Sequence, residues 1–154
     1  MTSACEWCRV AASDHARWRS DHLIWAADIQ KWESALDAAI FDMEIALWNA
    51  MYSKDNLGAS ISDLEQMYTA LNDLLGALRE HESKIREHEA ALTQHQRELD
   101  NNPQQETSGA AELGHRIMAV VHAEQCASRA RFKTAFDTTF AALEKLVEVR
   151  SCAH

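Results

Sequence analysis

Three histidines stand seven residues apart in the middle of the chain, at His81, His88 and His95. Imidazole nitrogens bind zinc, copper, iron and nickel, and a free imidazole gains or loses a proton near neutral pH. A spacing of seven returns a residue to the same face of a coiled-coil helix, so the three side chains share one face. The chemistry that this spacing indicates is metal binding or, failing that, a proton-sensitive polar core.

Four further histidines repeat this spacing on two other segments. His15 and His22 lie near the N-terminus, and His115 and His122 follow the single proline. Of the eight histidines in the chain, His154 alone stands outside the pattern. Seven histidines at heptad spacing on three segments predict a buried ladder of imidazoles rather than scattered surface residues.

Leucine and isoleucine occupy the second seam position of the central segment. With the histidines at heptad position a, position d is filled by Leu64, Leu71, Leu78, Ile85, Leu92 and Leu99. Such a seam faces a partner helix, so its histidines are predicted to point inward. A buried imidazole that has neither a hydrogen bond nor a metal costs free energy, and an inward direction therefore calls for a bound partner.

The composition favours a few long helices over many strands. The 154 residues include only four glycines and one proline, which leaves little material for turns. Cap and turn residues, with Ser60 or Ser62 opening the second helix, predict helices at about 11–52, 60–99 and 109–149. Short connections make consecutive helices antiparallel neighbours. The predicted fold is all-α: a long, antiparallel three-helix bundle that forms a single domain over residues 1–154.

The two predicted loops fix which histidines lie at the same height. In an antiparallel helix pair, residues at equal height are equally far from the middle of the connecting loop. The histidine pairs of the first and second helices share the midpoint Asp55, and those of the second and third share Gln105. Both midpoints lie inside the loops that glycine, proline and capping residues indicate, so two independent inferences agree.

This register predicts layers of three imidazoles. Two complete layers consist of His15, His95 and His115, and of His22, His88 and His122. Zinc takes three histidines and keeps a fourth position open, and copper or iron also accept imidazole. In an incomplete third layer His81 would face Ile29 and Arg129, and Cys126, one turn away, is a further candidate ligand.

Carboxylates and tryptophans accompany the histidines. The nearby carboxylates are Asp14, Asp21, Glu80, Glu82, Glu87, Glu89 and Glu112. A ligating histidine commonly donates its other N–H to such a group. Neighbours along a helix point about 100° apart, so we expect the partner to come from a different helix. Trp18, Trp25 and Trp32 recur at heptad spacing and are predicted to be core residues. The alternative is that they act as lids that separate the layers and keep water out.

Charge and composition restrict the partners. A net charge of −9 argues against nucleic acid, which is bound through Lys and Arg. Without a recognisable signal peptide or membrane span, the expected location is the cytoplasm, where cysteines such as the Cys5/Cys8 pair stay reduced. Excess apolar surface around Phe41 and Trp48 indicates either a wider core at that end of the bundle or a homodimer through that region.

One short motif resembles a known family. Asp21-His22-Leu23-Ile24-Trp25 is similar to the DHxxW motif of the zinc-binding domain of some bacterial chemoreceptors, a four-helix module with three histidines and one cysteine. The later Cys-Leu-Gly-Lys-Trp motif and the closely spaced histidine pair of that family are absent from this chain. The resemblance implies zinc binding around His22 and assigns no family.

The sequence therefore predicts a protein that binds metal in its core, zinc first and copper second, for storage, buffering or sensing. One alternative is a metalloenzyme that uses the open position of a tri-histidine metal for hydrolysis, hydration or redox chemistry. A second alternative is a metal-free coiled-coil interaction protein whose buried histidines respond to pH.

Overall fold

The computed structural model describes residues 6–52, 60–101 and 109–152. Three helices make up almost all of them: α1 (Glu6–Tyr52), α2 (Ile61–Asn101) and α3 (Gly109–Cys152). These ranges contain no strand; α1 packs against α2, and α2 packs against α3. The predicted all-α three-helix bundle is confirmed. Within the same ranges, no helix combines the length and the apolar character needed to cross a membrane.

The helix ends differ from the prediction at one place and resolve a choice at another. Helix α1 begins at Glu6 rather than near Ala11. At the start of α2, Ser60 is the cap, because Asp63 N–H donates to Ser60 Oγ at 3.1 Å and Leu64 N–H donates to the Ser60 carbonyl at 3.2 Å. Ser62 lies inside the helix.

Four residues named in the sequence analysis lie outside the described ranges. They are Cys5, the two loop midpoints Asp55 and Gln105, and His154.

The chain divides into two compact units. The histidine unit comprises residues 1–28 and 81–128, and the apolar unit comprises residues 29–80 and 129–154. In the histidine unit, layers of imidazoles alternate with apolar layers, one of which is formed by Trp18, Leu92 and Met118. Gln125 is also buried in this unit. This alternation follows from histidine at heptad position a and larger apolar residues at position d.

The apolar unit has an ordinary hydrophobic core. Leu36, Leu64 and Leu71 are completely buried. The Trp32 ring lies 5.1 Å from the ring of Phe132, centroid to centroid, and the guanidinium of Arg129 stands 5.5 Å from the Trp32 centroid. Leucine and aromatic side chains thus fill this unit, while the seven histidines of the described ranges all lie in the other.

Candidate metal centre

Two groups of three histidines form in the described part of the chain. In each group the three side chains offer nitrogens that all lie within 4.8 Å of one another. We name them the His15 site, formed by His15, His95 and His115, and the His22 site, formed by His22, His88 and His122. These are the two complete layers that the loop midpoints predict.

The nitrogens of both sites are shielded from water. All of these histidines except His95 are, as whole residues, between 2% and 6% exposed. His95 is half-buried as a residue, but its Nε2 is buried and has no hydrogen-bond partner. Burial of so many imidazoles would be unfavourable without partners for their polar atoms.

Each site draws one histidine from each helix because the heptad repeats are in register. A step of one heptad along a helix is about 10.5 Å, and the intervening space is filled by Trp18. Its ring stacks on His115, with centroids 5.2 Å apart, and on His122, with centroids 5.3 Å apart. Trp25 stacks on the other side of His122 at 5.0 Å. Trp18 and Trp25 are therefore core residues that separate layers, as predicted.

At the His15 site, two imidazole N–H groups are directed outward. His15 Nδ1–H donates to Gln96 Oε1 at 2.6 Å, and His115 Nε2–H donates to Asp14 Oδ2 at 3.0 Å. The orientation of Gln96 is fixed because its Nε2 donates to Asp100 Oδ1 at 2.9 Å. The lone pairs therefore remain on His15 Nε2 and His115 Nδ1, which are 3.3 Å apart.

The His22 site repeats this arrangement one heptad further along. His22 Nδ1–H donates to Glu89 Oε2, and His122 Nε2–H donates to Asp21 Oδ2 at 2.9 Å. His122 Nδ1 is left buried without a hydrogen bond. His88 places its Nδ1 3.1 Å from His22 Nε2, while its own Nε2 is buried and unpartnered.

The outer partners are supplied by neighbouring helices, as expected. Asp14 and Asp21 on α1 accept from histidines of α3, and Glu89 on α2 accepts from a histidine of α1. The corresponding partner at the His15 site is Gln96, which a search for carboxylates missed. The heptad spacing could have indicated Gln96, because this residue lies seven residues after Glu89.

Gln125 is a second residue that the sequence reasoning missed. It follows His122 by three residues, as Met118 follows His115, which places a polar side chain at heptad position d. Its Nε2 donates to the Lys84 carbonyl at 3.0 Å, and its Oε1 is buried without a partner.

Burial disfavours protons on these imidazoles. It lowers the pKa of His15, His95 and His122 below the usual value. Burial also lowers the pKa of His88 to about 4, with a further contribution from the charges of His22 and His122. At neutral pH these four imidazoles are therefore neutral, so each keeps one ring nitrogen with a free lone pair.

The remaining predicted ligands are not gathered into a group. His81 is buried, with its ring 6.4 Å from that of Trp25, whereas Cys126 is exposed on α3. Neither belongs to a set of three candidate ligands in the described ranges.

The nitrogen positions fit a metal ion. Two nitrogens bound to one zinc at about 2.0–2.1 Å in a tetrahedral arrangement are about 3.3 Å apart. The inward-facing pairs are separated by 3.3 Å at the His15 site and by 3.1 Å at the His22 site. Three imidazoles, two of which donate their other N–H outward, make a donor set that zinc and copper accept.

Comparison of the chain with protein-family models, curated proteins and solved structures gave no match. The interpretation of the two sites therefore depends on their own geometry and chemistry.

Proposed function

We propose that this protein binds transition-metal ions at the His15 and His22 sites, with zinc as the first candidate and copper as the second. The observation that supports the proposal is the convergence of imidazole lone pairs from three helices, while the opposite ring N–H groups donate outward. The six histidines of the two sites are the proposed ligands.

The electrostatics of the His15 site favour a cation between the rings. The lone pairs of His15 Nε2 and His115 Nδ1 face each other across 3.3 Å, and neither nitrogen retains a proton to share. A proton taken up from water is disfavoured because burial lowers the pKa of His15. A metal ion that accepts both lone pairs relieves this repulsion without a protonated imidazole.

The spacing supports zinc ahead of copper. Two nitrogens at right angles in a square-planar copper(II) site would be about 2.9 Å apart, closer than in a tetrahedral site. The 3.3 Å separation at the His15 site corresponds to the tetrahedral value, whereas the 3.1 Å separation at the His22 site lies between the two values, so the preference for zinc is drawn from the His15 site. Copper remains the second candidate because it binds nitrogen ligands more strongly than zinc does.

We further propose a role in metal storage, buffering or sensing. The support is the burial of the nitrogens and a net charge of −9, which attracts cations. His81 and Cys126 remain proposed ligands of a further site. That proposal depends on the heptad spacing and on the burial of His81.

The test is the metal content of protein that carries no affinity tag. We expect close to two zinc ions per chain by elemental analysis, and two equivalents of high affinity when the metal-free protein is titrated with zinc against a chelator. His81→Ala is the matched control, because it removes a buried histidine outside both groups and should leave these two equivalents in place. A third equivalent lost in His81→Ala would support the further site.

Two results would contradict the proposal. One is a protein that binds zinc no more tightly than scattered surface histidines do. The other is unchanged stoichiometry when His22 and His122 are both replaced by alanine. Absence of binding together with acid-dependent association would instead favour the metal-free, pH-responsive alternative, for which the 3.1 Å contact between His22 and His88 would be a hydrogen bond.

We also propose that the chain forms a homodimer through the apolar unit. Phe41, Ile45, Trp48 and Tyr52 recur on one face of α1 and are 46% to 67% exposed. An exposed apolar stripe of this kind is typical of an interaction site. Sedimentation at micromolar concentration should give a dimer that Trp48→Glu converts to a monomer, and a monomeric wild type would exclude it.

A further inference from the structure

One position on α3 distinguishes the surroundings of the two sites. At Gly114 an added Cβ would lie 3.8 Å from His95 Cε1 and 3.9 Å from His95 Nδ1, so the missing side chain leaves that ring edge uncovered. The heptad repeat that relates His95 to His88 relates Gly114 to Val121 on the facing helix. The register therefore predicts that Val121, which is 39% exposed, lies beside His88 at the place that is empty beside His95.

The exposure of the two histidines agrees with this difference. His88 is 3% exposed, whereas His95 is half-buried, although both occupy position a of the same helix. The Nε2 atom of His95 is nevertheless buried. The His15 site therefore has one ligand residue that is more exposed than its counterpart at the His22 site.

The charge on the hydrogen-bond acceptors also differs between the two sites. The outward N–H groups of the His22 site are paired with two carboxylates, Asp21 and Glu89. At the His15 site the corresponding acceptors are the neutral amide of Gln96 and the carboxylate of Asp14, and Glu98 also acts on His95. The direct acceptors of the His15 site therefore carry one negative charge fewer, although Arg19 partly offsets Glu89 at the His22 site.

We propose that a metal ion at the His15 site binds a small exogenous anion, or water in its absence, at its fourth coordination position, and that the His22 site is closed to such a ligand. The inference depends on the proposed metal binding. It gives the two sites different roles, because one holds a metal ion that can exchange ligands and the other holds a metal ion that the protein encloses.

The experiment uses the protein loaded with two equivalents of cobalt(II), whose visible absorption reports both metal binding and the coordination number. Azide is the probe for a small anion. We expect azide to change the spectrum of one of the two cobalt ions, with saturation at one azide per chain. The His22→Ala/His122→Ala protein, which keeps only the His15 site, should retain the whole azide response.

Two reciprocal variants test the role of the α3 position. Gly114→Val should keep two cobalt ions and weaken azide binding at least tenfold, because the added side chain covers the His95 ring edge. Val121→Gly should gain a second azide equivalent. Val121→Ala serves the same purpose if the glycine variant does not fold, and the cobalt stoichiometry checks each protein before azide is added.

The outcomes separate this inference from the proposed function. Two bound cobalt ions with no azide response, two equal azide sites in the wild type, or unchanged azide affinity in Gly114→Val would each overturn the inference and leave metal binding intact. Failure of the wild-type protein to bind cobalt or zinc would instead contradict the proposed function itself.

Discussion

The outer hydrogen-bond partners should set the relative zinc affinities of the two sites. In the His22 site, Glu89 accepts from His22, and in the His15 site Gln96 accepts from His15 at 2.6 Å. Glu89→Gln and Gln96→Glu exchange a carboxylate for an amide of the same length, and each keeps an oxygen that accepts the imidazole N–H. The substitutions therefore change charge while preserving the hydrogen bond.

The expected contribution of the Glu89 charge to zinc affinity follows from the position of this residue. A carboxylate hydrogen-bonded to the far nitrogen of a ligating imidazole lies about 6.5 Å from the metal, by addition of ordinary hydrogen-bond, ring and metal–nitrogen lengths. Its attraction to a divalent ion is about 1.3 kcal/mol at a dielectric constant of 80 and about 2.6 kcal/mol at 40. The Glu89 side chain is 43% exposed, so the energies calculated at dielectric constants of 80 and 40 apply, rather than the larger energies of a protein interior. It corresponds to roughly a 10-fold to 80-fold change in affinity.

The assay is a zinc titration against a chelator of known affinity. The wild-type protein should bind its two ions in separate steps, with the His22 site tighter by roughly 10-fold to 80-fold. Glu89→Gln should weaken zinc binding at the His22 site, and Gln96→Glu should strengthen it at the His15 site. In either variant the two ions should then bind in a single step. Glu87→Gln is the matched control, because it removes the same charge from an exposed position on the same helix. Equal wild-type sites, or effects no larger than that of Glu87→Gln, would refute the reasoning.

Three further predictions address the ligands, the protons and the packing. His88→Ala should bind one metal ion instead of two by elemental analysis, because His22 and His122 alone remain at that site; retention of two would exclude His88 as a ligand. The metal-free protein should lose stability as pH falls from 6.5 to about 4, because His88 takes up a proton in the unfolded chain but resists it when buried. Urea unfolding should show a loss of about 3 kcal/mol from this residue. A free energy of unfolding that does not change over this pH range would contradict the burial of His88. Trp18→Ala should lower the free energy of unfolding by about 3–5 kcal/mol through the cavity it leaves between the sites, whereas Trp18→Phe should lose less; equal losses would count against the stacked packing.

The register of the histidines could be predicted because it depends on two local features. The heptad spacing sets which face each histidine occupies, and the loop midpoints set the relative heights of the helices. Neither feature needs knowledge of a distant contact. The layer of His22, His88 and His122 was therefore available from spacing and turn residues alone, and the structure brings these nitrogens together.

Features that depend on contacts between helices could not be predicted in the same way. The sequence placed Asp14 among seven carboxylates near the histidines, but only the packing of α1 against α3 shows that Asp14 accepts a hydrogen bond from His115. Gln96 was overlooked because an amide can be either donor or acceptor, and only its contact with Asp100 fixes which atom faces His15. The hydrogen-bond partners of the histidines therefore depend on how the helices pack against one another.

The uneven distribution of histidine has an energetic consequence for the histidine unit. Its core places seven imidazoles and Gln125 where the apolar unit has leucine and aromatic side chains, and imidazoles gain little from leaving water. If the two sites bind metal as proposed, the bound ions would supply part of the free energy that folds this unit. A metal ion present at a hundred times its dissociation constant stabilises the folded state by about 2.7 kcal/mol per site, or about 5 kcal/mol for two. That is as large as the whole stability of a marginal domain, so the order of the histidine unit would follow the concentration of free metal. This coupling is the property that a metal sensor or buffer requires.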